Sequence, residues 1–130
     1  MNPINWNENF KIRIANSSKE FQKHEVIKLL VMMKLIEKHK LDKNWIRIYS
    51  EFPVDDNLIP DIYFEDIKSK SIICYEIQKN MGDEYIKRKT KQYNELNIAF
   101  FNTVDLIIIP IKNAPNDLNE LNNYLDQYII

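Results

Sequence analysis

A chain of 130 residues, 45% apolar and 28% charged, is sized for one domain with a real core and is too short for two independent ones. Its net charge of −1 excludes a uniformly basic nucleic-acid binder, so any phosphate contact has to come from local clustering of cations. The apolar run Leu106 to Pro110 is strand-sized, and no run approaches the ~18 residues that a membrane span requires.

The N-terminal stretch Met1 to Phe10 is polar and Asn-rich, without the apolar segment of a signal peptide. A single cysteine, Cys74, cannot make a disulfide scaffold and reads as a small buried hydrophobe. Together these features imply a reducing, cytoplasmic setting. The abundance of Ile, Lys and Asn beside a single glycine, Gly82, suggests an A/T-rich source such as a virus, a plasmid or another mobile element.

Ser17 and Glu20 form a capping-box pattern, with Ser18 as an alternative cap, and predict a helix from there to about Lys40. Its middle is apolar nearly all round, which predicts burial on more than one side. The stripe Phe21, Glu25, Leu29, Met32, Ile36 carries one acid, Glu25, toward the interior. His24 and His39 have no second ligand at metal spacing and read as exposed polar positions. Trp45 to Phe52 then predicts a strand, and Pro53 to Leu58 a loop turned by Asp55, Asp56 and Asn57. Asp61 to Phe64 follows as a short strand entered through Pro60, whose missing N–H does little harm there.

Ser71 to Gln78 is rich in β-branched and aromatic residues and predicts a third strand, paired as a hairpin with the second. Asn80, Met81 and Gly82 break the chain before a helix from about Asp83 to Leu96, with acids first and bases along it. Val104 to Pro110 is a near-continuous apolar run, the pattern of a strand covered on both faces. Leu118, Leu121, Leu125 and Tyr128 give a last helix one apolar stripe. The order helix, three strands, helix, strand, helix predicts an α/β fold with a mixed sheet flanked by helices. No glycine-rich phosphate loop is present, which excludes P-loop and dinucleotide cradles.

Strand alternation puts Ile72, Cys74, Glu76 and Gln78 on one face and Ile73, Tyr75 and Ile77 on the other. Glu76 thus emerges from an apolar strand, where a carboxylate is costly unless it is paired or binds a metal. Asp61, behind Pro60 on the neighbouring strand, can converge with it. Taken singly, Asp61 also reads as a turn residue and Glu76 as an edge carboxylate. The cations Lys87, Arg88, Lys89 and Lys91 cluster on the following helix, with Lys87 and Lys91 on one face and Arg88 beside Gln92 on the next. Such a run is either a solvated helix face or a set of phosphate contacts.

The pair Pro60-Asp61 and Glu76-Ile77-Gln78, on this order of elements, resembles the PD-(D/E)XK nuclease superfamily over roughly residues 17 to 110. The resemblance implies a restriction-endonuclease-like αβββαβ core with an extra C-terminal helix. It implies a metal-dependent, resolvase-like endonuclease acting on nucleic acid, DNA rather than RNA, with Asp61, Glu76 and Gln78 as the catalytic set. Asp61 and Glu76 become ligands of Mg²⁺ or Mn²⁺, with Glu25 or Glu51 as auxiliary ligands, and Lys87, Arg88 and Lys91 become phosphate contacts. A homodimer follows by analogy with junction resolvases, through the C-terminal helix or a sheet edge.

The family's usual lysine is replaced here by Gln78. Strand parity sends the adjacent Lys79 to the opposite face from Glu76. An amide can orient water but carries no charge, so either Gln78 positions the water by itself or another cation substitutes, Lys87 or Lys91 on the following helix. A non-catalytic binding module that keeps the fold is the alternative, and a structural or regulatory protein a third possibility.

Overall fold

The computed structural model describes residues 18–79 and 81–130. Helix α1 runs Lys19–His39, and Ser18 is its cap, with its hydroxyl accepting from the Phe21 amide at 3.1 Å. That satisfies one of the donors a helix start leaves open. Ser17, the other expected cap, lies outside the described residues. A short 3₁₀ turn carries the chain into β1, Ile46–Ser50. Then come β2 (Ile62–Asp66), β3 (Ser71–Gln78), α2 (Asp83–Asn94), β4 (Thr103–Pro110) and α3 (Leu118–Leu125).

The strands lie in the order β1-β2-β3-β4. The first three are antiparallel neighbours, and β4 joins β3 in parallel after the crossover through α2. The fold is therefore mixed α/β, with a four-stranded mixed sheet and three helices among the described residues. On one face, Ile27, Val31 and Leu35 of α1 and Leu121 and Leu125 of α3 pack on Ile62, Phe64, Tyr75, Ile77 and Ile109. On the other, Tyr93 of α2 packs with Tyr63, Ile72, Cys74 and Val104, and Leu58 of the β1–β2 loop joins them. The two side-chain sets are those that strand alternation separates.

Two expectations need correction. The inward stripe of α1 is Ile27, Val31, Leu35, whereas Leu29 and Ile36 are 59% and 54% exposed. In an all-round apolar helix, periodicity cannot say which stripe faces the sheet. Strand β1 ends early because Glu51 takes a left-handed backbone, φ 50°, which an extended strand cannot contain. The apolar stripe of α3 packs inside its own chain through Leu121 and Leu125, both fully buried, while Leu118 stays 39% exposed. Among the described residues, no helix is long and apolar enough to cross a membrane.

Candidate active site

Asp61 and Glu76 meet at one end of the sheet. The Asp61 amide donates to the carbonyl of Tyr75 at 2.9 Å, and its Oδ2 accepts from the amide of Ile77 at 2.7 Å. Asp61 is thus fastened to the residues on either side of Glu76. No flexible arm connects the two carboxylates: both are fixed to backbone that the hairpin register already holds.

Glu76 is only 6% exposed. Its Oε1 accepts from the Tyr93 hydroxyl at 3.0 Å and its Oε2 from the Gln78 amide at 2.7 Å. Burial raises its pKa above the ordinary glutamate range, and the charge of Asp61 pushes it further the same way. The two hydrogen bonds and the charge of Lys89 oppose this without cancelling it.

Asp61 has a different setting. Its Oδ1 lies 3.2 Å from His24 Nε2. The other ring nitrogen of His24 is 3.5 Å from Glu25, which holds the Lys28 ammonium at 2.7 Å, and Lys28 reaches on to Glu51 at 3.5 Å. Burial disfavours the imidazolium, but the hydrogen bond and charge of Asp61, joined by Glu25, outweigh it and hold the His24 pKa above normal. His24 is therefore not the exposed polar position its sequence context suggests. The buried neighbours three and seven residues later, Ile27 and Val31, were the signal that it faces inward.

Helix α2 supplies the opposite wall. Tyr85, Lys89 and Tyr93 recur every fourth residue and so share a face. Tyr93 bonds Glu76, the charge of Lys89 acts on Glu76, and the charges of Glu76 and Asp61 raise the Tyr85 pKa after burial has done so. The sequence alone does not mark this Tyr-Lys-Tyr stripe, because Tyr93 passes there for a core residue. Its ring is in the core, and its hydroxyl is in the site.

The other expected residues fall as follows. Glu25 and Glu51 both pair with Lys28, and Glu51 has a side chain 64% exposed. Gln78 spends its amide N–H on Glu76, so it positions that carboxylate. Lys87, Arg88 and Lys91 are exposed on α2; Lys91 is 3.8 Å from Glu95, and Arg88 lies over the Tyr85 ring at 5.5 Å. Lys79 is exposed and 3.2 Å from Glu20, away from Glu76 as parity requires. Cys74 is buried, its thiol pushed up to about 12 by burial and by the charge of Glu76, which leaves it unreactive.

Among the described residues, no three His, Cys, Asp or Glu side chains converge in a metal-binding arrangement. The carboxylate pair still fits a hard divalent cation that completes its shell with water. Two anionic groups face each other, and the buried one has only neutral hydrogen-bond donors. Comparison with known proteins gave no match: no family model, no curated protein and no solved structure is significantly similar to this chain.

Proposed function

We propose that this protein is a metal-dependent nuclease on the PD-(D/E)XK plan, hydrolysing phosphodiester bonds in DNA. The observation that carries the reading is Glu76: a buried carboxylate, held by neutral donors, set directly beside Asp61. A buried carboxylate set beside a second acid burdens the fold, and the arrangement makes sense when a cation is shared between them. The restriction-endonuclease-like core draws support from the antiparallel β1–β3 unit, the α2 crossover and the parallel β4.

Asp61 and Glu76 would hold Mg²⁺ or Mn²⁺, which supplies polarisation of the phosphate and a more acidic water. The Ile77 amide fixes Asp61, while Tyr93 and Gln78 fix Glu76, so both ligands are oriented before substrate arrives. Lys89 offsets the negative charge that builds on the phosphate, the part played by the lysine absent from position 78. Lys87, Arg88 and Lys91 lie further out along α2 and add affinity that reads no sequence. A second copy would double the footprint; the edges left for it are β1 and β4.

The test is cleavage of labelled DNA with Mg²⁺ or Mn²⁺ against chelator, for the wild type, Asp61→Asn and Glu76→Gln. Cutting only by the wild type with metal is the expected result; equal cutting by all three removes the reading. One observation favours the non-catalytic binding module: one N–H of the Gln78 amide is spent on Glu76, and the residue at this position carries no charge to offer a phosphate. That module would bind DNA without any metal-dependent cutting.

A further inference from the structure

The face of the sheet that carries Glu76 is only partly covered. Helix α2 lies over the β4 side, where Tyr93 closes the core. On the β1 side the surface is aromatic. Tyr49 stands opposite Tyr63 in register, and Tyr63 opposite Cys74, two residues before Glu76 on the same face. Tyr49 and Tyr63 stack with centroids 6.0 Å apart, and Phe52 closes on Tyr63 at 4.7 Å and on Tyr49 at 5.3 Å. Tyr63 is buried beneath the other two, which remain 41% and 40% exposed.

The placement of Phe52 is built into the backbone. Glu51, just before it, has a φ of 50°, a conformation that a residue with a Cβ adopts at some cost. The Glu51 amide still donates to the Asp61 carbonyl at 3.1 Å. The turn that presents the Phe52 ring is therefore tied to the backbone of the proposed metal ligand. Cations flank the strip at both ends: Arg47, on the Tyr49 face of β1, half exposed and 3.4 Å from Glu65, and Lys89 and Arg88 across the carboxylates.

We propose that Tyr49 and Phe52 form a stacking platform for unpaired bases, so that the substrate is a single strand or a splayed end rather than continuous duplex. The proposal rests on the nuclease reading and names the substrate class of that site. Ring faces accept any base, and the bases of an intact duplex have none to offer. Tyr49 lies about two residues, ~7 Å, along β2 from Asp61, so a strand stacked there carries its backbone toward the carboxylates. Arg47 at one end and Lys89 at the other match its phosphates in charge.

The experiment measures binding and Mn²⁺-dependent cutting of a short oligothymidylate, a flap and a blunt duplex. Binding is read by fluorescence anisotropy with Glu76→Gln as the non-cutting background. The oligothymidylate and flap should bind about tenfold tighter than the duplex. Tyr49→Leu with Phe52→Leu, which keeps the apolar cover over Tyr63, should erase that roughly tenfold preference. Tyr49→Trp should retain it, as should Phe100→Ala, an exposed aromatic at the far end of the sheet.

Duplex bound and cut as well as the single strand overturns the platform while leaving the nuclease reading intact. A preference that survives the double leucine variant does the same. A concentration-dependent dimer abolished by those leucines, with strand binding unaffected, means that a second copy covers this face, and also overturns it. No binding to any nucleic acid removes both readings together.

Discussion

Asp61 and Glu76 sit on neighbouring strands of one sheet, yet their surroundings are opposites. Asp61 belongs to the α1 side, a relay of charges that runs through His24, Glu25 and Lys28 to Glu51. Glu76 belongs to the α2 side, sunk in the core under Tyr93 with neutral donors and one cation, Lys89, acting on it without a hydrogen bond. The fold gains from the first carboxylate and is burdened by the second. Two acids that share one proposed role in chemistry thus have opposite roles in folding, a separation of environments that active sites commonly use.

The largest effects should ignore this difference. Asp61→Asn and Glu76→Gln should each lower metal-dependent cleavage by at least about 10³-fold, more than the loss of one charge-stabilising donor. Cleavage rates at saturating metal check it, and a variant that keeps full activity removes its residue from the site. Lys89→Met should cost about 10²-fold in kcat, as expected for a cation that acts on the reacting phosphate. Lys87→Met and Lys91→Met should instead leave kcat within a few-fold and flatten the salt dependence of binding by about one counterion each. If Lys87→Met matches Lys89→Met in kcat, the α2 face has been misassigned.

Much of the Glu76 side was legible from residues alone, because strands have a period of two. Ser71–Gln78 appears as a strand with the expected bounds, Glu76 and Gln78 share a face, and Lys79 points away. The α1 side was harder to read. Apolar side chains nearly all round that helix leave its phase open, so the pattern points Glu25 inward and His24 outward, whereas His24 is the residue against Asp61. On α2, Lys87, Arg88 and Lys91 are as basic as Lys89, and charge alone cannot choose among them. The choice comes from Tyr93, whose ring anchors the helix and thereby sets which lysine, one turn earlier, looks at Glu76.

Stability should show the contrast between the carboxylates directly. Asp61→Ala leaves the Ile77 amide without its acceptor and His24 without its counter-charge, and should cost about 2 kcal/mol. Thermal or denaturant unfolding without metal measures it, and a neutral result would mean that the α1 relay contributes nothing.

Glu76→Gln should act the other way, stabilising the protein by about 1 kcal/mol at neutral pH, since it replaces a buried charge with a neutral group of the same shape. The sign follows from the raised pKa of Glu76. The folded state favours its protonated form, so the wild type keeps that contribution below the ordinary value of 4.5 and loses it as pH rises through the folded-state pKa. The advantage of Glu76→Gln should therefore be full above the folded-state pKa of Glu76 and vanish on acidification past 4.5. Mg²⁺ should close the same gap from the other side, by raising the wild-type melting temperature and leaving that of Glu76→Gln unmoved. A gap that stays constant across this pH range would mean that Glu76 is no burden to the fold, and the contrast with Asp61 would be lost.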